Sequence, residues 1–122
     1  METIDSRSAA TAELMHRFNQ VFLQHDTTTL AGMIAEDCVI EKINPAPNGD
    51  RCVGRDACVA LWTEIATSPG TRFELEETCA MGDRAIIRWR FWSSDTTSIR
   101  GVNLMRLRNG LIVEAMGYVK GA

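Results

Sequence analysis

The chain has 122 residues, 45% of them hydrophobic, and a formal charge of −3. That length suits one domain over residues 1–122 whose core buries roughly two thirds of the unfolded surface, and it leaves no room for a second. The charge gives no basic excess for nucleic acid or acidic lipid, no apolar run is long enough to span a bilayer, and Met1 to Ser8, polar with two acids, lacks the pattern of a leader.

From Ser8 to Gln24 the apolar positions Ala12, Leu14, Met15, Phe18, Val21 and Phe22 recur every three or four residues, which predicts a helix with one core face. Its solvated side carries Glu13, Arg17, Gln20 and Gln24. Asp26 is a candidate cap for a second, shorter helix through Ala35, with Leu30, Met33 and Ile34 as its stripe. Cys38 to Ile43 is compatible with a strand, and the prolines and glycine of "NPAPNGD" make the next segment a loop. Ala57, Leu61, Trp62, Ile65 and Ala66 predict a third helix over Arg55 to Thr67, stopped by Ser68, Pro69 and Gly70.

The rest reads as meander. Strands are expected over Arg72 to Ala80, Arg84 to Trp92 and Ser98 to Arg108, followed by a last strand after Asn109-Gly110, a dipeptide suited to the positive φ angles of a type I′ turn. Three helices and a run of antiparallel strands give an α+β domain with its helices on one face of a curved sheet.

Four scattered cysteines, Cys38, Cys52, Cys58 and Cys79, form no CxxC pair, and His16 and His25 lie far from them in sequence, so no zinc spacing appears and no metal is expected. The same scatter suggests reduced thiols in a cytoplasmic protein.

A two-residue turn sets Arg108 opposite Leu111, Asn103 opposite Met116 and Met105 opposite Glu114, so Asn103, Met105, Met116 and Tyr118 share one face. A three-residue loop with a bulge would shift the partners by one and regroup the faces. Neither face is cleanly polar, so both are expected to be covered, one by the helices and the other by a second copy of the chain. Asn103 then points into space approached by Met15, Phe18 and Trp62. An amide left unpaired there costs about 1 to 3 kcal/mol, so it is either a satisfied core amide or a pocket amide awaiting a ligand. Ala85, Ile87, Trp89 and Phe91 form the cleaner apolar set of their strand, which selects Trp89 rather than Trp92 as the inward indole.

The phrases "LAGMIAEDCVIEK", "CVGRDACVALW" and "RGVNLMRLRNGLIVEAMGYV", in this order of elements, resemble the nuclear transport factor 2-like superfamily, in particular its SnoaL-like and ketosteroid-isomerase-like branch. The resemblance implies a cone, a strongly curved antiparallel sheet wrapped around three helices, with an apolar pocket and dimerisation through the outer sheet face. It also implies chemistry without metal or organic cofactor. The isomerase's carboxylate base falls at or next to Lys42, its oxyanion-hole tyrosine at Phe18 and its protonated aspartic acid at Asn103. Of these only Asn103 can still donate to an enolate oxygen.

The expected function is binding of a small apolar organic ligand, with isomerisation, cyclisation or dehydration by proton transfer as its possible chemistry. Asn103 would polarise a ligand oxygen, Glu41 or Lys42 would carry the proton, and Met15, Phe18, Trp62, Trp89, Met105, Met116 and Tyr118 would form the walls. The rival expectation is a non-catalytic homodimeric module whose pocket is filled core.

Overall fold

A computed structural model describes residues 4–121. Helix α1 (Ile4–Gln24) presses Leu14, Met15, Phe18 and Val21 into the core, as their spacing requires. Helix α2 (Arg55–Thr67) has the expected span and buries Cys58, Trp62 and Ala66. None of the helices among the described residues is long and apolar enough to cross a membrane.

The expected middle helix is reduced to a 3-10 turn, Ala31–Met33. Three consecutive threonines, Thr27 to Thr29, and Gly32 are poor helix formers. The backbone there makes i to i+3 bonds, Leu30 N–H to Thr27 O at 3.1 Å and Met33 N–H to Leu30 O at 3.0 Å. Asp26 caps no helix; its carboxylate accepts the Thr28 amide at 3.0 Å, the bond of an Asx turn. Ile34 and Ala35, the expected end of that helix, belong instead to strand β1 (Ile34–Glu41).

Strands β2 (Arg51–Val53), β3 (Arg72–Met81), β4 (Arg84–Trp92), β5 (Ser98–Arg108) and β6 (Leu111–Val119) complete a curved, unclosed sheet of six strands in the order β2-β1-β6-β5-β4-β3. The sheet is mixed rather than wholly antiparallel, because β1 runs parallel to β6. The α+β class and the cone-like bowing hold, with two helices inside the bowl in place of three. Helix α1 lies against β3 and α2 against β1, and the apolar core fills the space between them and the inner sheet face.

At one end of the bowl, α1 is fastened to the β3–β4 turn. Thr11 Oγ1 donates to Gly82 O at 2.6 Å and the Gly82 N–H donates to Ser8 Oγ at 2.8 Å, so two side chains one helical turn apart hold both backbone polar groups of one residue.

The last hairpin turns at Asn109 and Gly110, both at positive φ, and Arg108 faces Leu111 as expected. Val113 then enters β6 as an unpaired extra residue: Leu107 faces Ile112, but Arg106 faces Glu114. Beyond this bulge every partner is displaced by one, so Asn103 faces Gly117 rather than Met116, and Met105 faces Ala115 rather than Glu114. Ala115 and Gly117 therefore share the inner face with Met105 and Asn103, whereas Glu114, Met116 and Tyr118 turn outward.

Candidate functional site

The end of the bowl away from the Gly82 turn is hollow. A cavity of ≈ 460 Å³ opens there between the C-terminal half of α1, the middle of α2 and the inner faces of β1, β3, β4, β5 and β6. Exposed apolar side chains, Leu23, Leu75 and Ile99, stand at its mouth.

Its walls are aromatic because each contributing element directs its apolar period inward. Helix α1 supplies Phe18 and Phe22, one turn apart; α2 supplies Trp62; β3 supplies Phe73; and β4 supplies Trp89 and Phe91 on alternate positions. The rings meet edge to face, Phe18 on Trp62 at 4.8 Å and Phe73 on Trp89 at 5.7 Å between centroids.

One amide enters this wall. Trp89 Nε1 donates to Asn103 Oδ1 at 3.1 Å. Because an indole nitrogen is a donor only, the atom facing it must be the amide oxygen, which fixes the orientation of the side chain. The Asn103 NH2 group, with two donors and no protein partner among the described residues, is left on the cavity. Glycines make this arrangement possible. A Cβ on Gly101 would stand 2.6 Å from the Trp89 ring, and one on Gly117 would stand 2.9 Å from Ile43 Cγ2 and 3.5 Å from Asn103 Oδ1.

Glu41 and Lys42 lie on the rim where β1 ends. The Glu41 carboxylate forms an ion pair with Arg51 Nη2 at 3.2 Å on the neighbouring strand. Its register opposite Met116 groups it with the outward set. Lys42 is held by its backbone, its N–H donating to Asp50 O at 2.8 Å, and its side chain has no ion-pair partner among the described residues. Asn19, also on the wall, donates through Nδ2 to Thr78 Oγ1 at 3.2 Å.

Phe18, Trp62, Trp89, Asn103, Glu41 and Lys42 are thus brought around one cavity. Four other expected wall residues are not. Met15, one turn before Phe18, and Met105, two residues beyond Asn103, are fully buried in the closed end of the core. Met116 and Tyr118 are turned to the outer face by the Val113 bulge, leaving Tyr118 54% exposed. Trp92 also faces outward, donating to Glu74 Oε1 at 2.6 Å with the Arg72 guanidinium over its ring.

Among the wall residues that sequence reasoning missed are Phe22 and Phe91, each already on a recognised apolar period, and Phe73 on β3. Ile43 and Asn44 of the loop carried no such signal.

Glu114, a further acid near Asn103 in the expected register, is paired with Arg106 at 3.4 Å outside the cavity. Below the cavity, the Cys58 thiol donates to Cys38 O at 3.4 Å, and burial pushes both thiols up, Cys38 the further. They are packing groups that join α2 to β1. Among the described residues no group of three His, Cys, Asp or Glu side chains is placed to hold a metal ion.

The SnoaL-like domain profile matches residues 15–115. An NTF2-like protein of unknown function from Mesorhizobium loti is 64% identical, with 94% of each chain covered and a TM-score of 0.92. A steroid delta-isomerase from Pseudomonas aeruginosa superposes with a TM-score of 0.77 at 14% identity, covering 93% of this chain and 81% of that one. A candidate polyketide cyclase from Sinorhizobium meliloti gives 0.71 at 19% identity, covering 86% and 93%. These two share the fold. No curated protein sequence matches the chain. The profile match over most of the chain and the Mesorhizobium loti protein agree with the bowl, its cavity and its strand order: this chain belongs to the SnoaL-like domain family of the nuclear transport factor 2-like superfamily.

Proposed function

We propose that residues 1–122 form one SnoaL-like domain that binds a small, mostly apolar organic molecule and polarises one of its oxygens through the Asn103 NH2 group. The observation that carries this reading is the Trp89–Asn103 bond, which spends the amide's acceptor on the protein and leaves its donors facing an aromatic cavity of ≈ 460 Å³. A filled core would have favoured a module without a ligand.

Proton-transfer chemistry on the bound molecule, such as isomerisation, cyclisation or dehydration, is the second reading. It is supported by Glu41 and Lys42 standing on the cavity rim. Two features weigh against the steroid-isomerase arrangement: Phe18 has no hydroxyl to donate, and the Glu41 carboxylate is held by Arg51. Lys42, a cationic side-chain type, suits the role of anion partner.

The outer sheet face supports a homodimer. Ile86, Leu104 and Met116 lie side by side across β4, β5 and β6, with Val102 and Tyr118 one step along, and Leu104 is 41% exposed. The ion pairs Glu76–Arg100, Glu77–Arg88 and Arg106–Glu114 surround this apolar row as a rim would. A cytoplasmic location fits four free cysteines.

The test is calorimetric titration with 2-acetylnaphthalene, a ring ketone sized for the cavity. Binding is expected in the micromolar range, weakened about tenfold or more in Asn103→Leu. Failure to bind at the ligand's solubility limit, or unchanged affinity in the variant, removes the reading.

A further inference from the structure

We infer that the ligand is an apolar ring-bearing carboxylate whose acid group is received by Lys42, an inference that rests on the ligand-binding reading above and names its substrate class. Two charged residues, Glu41 and Lys42, stand at the rim of the cavity. The negative charge is already answered, since Arg51 Nη2 lies 3.2 Å from Glu41 Oε2. The positive charge is not. Asp50, across the loop, accepts the Lys42 N–H through its backbone carbonyl and makes no ion pair with the Lys42 side chain among the described residues. A chain with net charge −3 therefore places one unanswered cation at the opening of its aromatic cavity.

Position also favours one molecule meeting both polar groups. Asn103 pairs with Gly117 on β6, and β1 pairs with β6 so that Glu41 stands beside Met116; Lys42 follows at the level of Gly117. Lys42 and Asn103 thus sit two strand spacings apart, roughly 10 Å between backbones, a span that a lysine side chain and an asparagine amide can share across one small ligand. The remaining wall gives such a ligand no repulsion. Phe18, Trp62, Phe73 and Trp89 offer ring faces and edges, and Asn103 offers donors only. A molecule with an apolar ring body and an acceptor-only head matches the ring walls, the Asn103 donors and Lys42. A cationic or donor-rich head would meet the Lys42 ammonium and the Asn103 N–H groups unfavourably.

The matched probes are 2-naphthoate and its neutral methyl ester, compared by calorimetry on the intact protein at low and high salt, about 20 and about 500 mM sodium chloride. The acid is expected to bind about tenfold tighter than the ester at low salt, with the preference shrinking at high salt. Lys42→Met is expected to bring the two within about twofold, while Lys42→Arg keeps the preference and reports that the loss is of charge and not of fold. If the ester binds as tightly as the acid, or Lys42→Met keeps the preference, the carboxylate assignment is overturned and the ligand-binding reading stands. If neither probe binds and 2-acetylnaphthalene does not bind either, both fall together.

Discussion

Trp89 and Asn103 are bound to each other diagonally across the β4–β5 ladder: the direct partner of Trp89 is Gly101, and its indole N–H reaches past that glycine to Asn103 Oδ1 at 3.1 Å. The bond makes the amide a donor toward the cavity, so removing its donor should release that orientation. In Trp89→Phe the amide is free to rotate, and affinity for 2-acetylnaphthalene should fall about three- to tenfold, with a stability loss of about 1 kcal/mol. Titration and urea unfolding of the same variant measure the two effects. Unchanged affinity would show that the bond does not orient the donor.

Gly101 is the reason the indole can lie across β5. Gly101→Ala places a methyl group 2.6 Å from the Trp89 ring and 2.5 Å from Tyr118 O, and backbone cannot give way as a flexible side chain can. The substitution should cost about 1 to 3 kcal/mol and shift the tryptophan emission as Trp89 is displaced. Urea unfolding together with the native emission spectrum checks both.

The outer apolar row makes its own prediction. Leu104→Glu sets a carboxylate between Ile86 and Met116, its two cross-strand neighbours. In a dimer that buries this row the charge has no partner and the complex should dissociate; in the monomer the side chain is already 41% exposed and the fold should survive. Sedimentation equilibrium at micromolar concentration should show wild type as dimer and the variant as folded monomer. A monomeric wild type would refute the proposed interface.

Acid should weaken the outer face through Glu76. Its two hydrogen bonds from Arg100, both 3.0 Å, hold the Glu76 carboxyl below its usual 4.5, as the charge of Arg88 also does. A lowered folded-state value means that the contribution is complete above about pH 4.5 and is lost as the pH falls through the depressed value. Glu76→Gln should therefore lower the Tm throughout the range above about pH 4.5 and flatten the acid limb of the Tm against pH curve, so that the two proteins converge as the pH falls through the depressed value. Because the pair is exposed, salt should reduce the difference.

The four thiols should separate by accessibility. Cys79 is exposed, though its bond to the Glu77 carboxylate at 3.5 Å raises it and slows its reaction; Cys38 and Cys58 are fully buried. With Ellman's reagent, native protein should yield Cys79 first and Cys52 next, with Cys38 and Cys58 released only at the urea unfolding midpoint. Early release of all four would contradict the packing of α2 against β1.

What the sequence made legible was whatever a single period decides. Helix α2 and strands β3, β4 and β5 could be delimited because apolar residues recur in them at one spacing between clear turn residues, and the inward set of β4, with Trp89 inside and Trp92 outside, followed from alternation alone. The segment from Thr27 to Ala35 was not legible, since Leu30, Met33 and Ile34 fit a helical stripe as well as a turn leading into a strand; pairing of Ile34 with Ile112 decides it, and that is a tertiary fact. Nor was the parity of β6. Val113 is as apolar as its neighbours, so nothing local marks it as the extra residue, yet it moves Met116 and Tyr118 from the expected wall to the outer surface. The Asn103 position was visible as an anomaly in an apolar strand; its orientation depended on Trp89 and Gly101, fourteen and two residues away.

The clasp that Ser8 and Thr11 place on Gly82 pins that end of the bowl. Any widening of the cavity would then have to come at the opposite lip, where Leu23 and Leu75 are exposed, with α1 held at one tip like a tweezer arm. Cutting that pin would free both ends of the bowl and leave its opening no longer confined to one side.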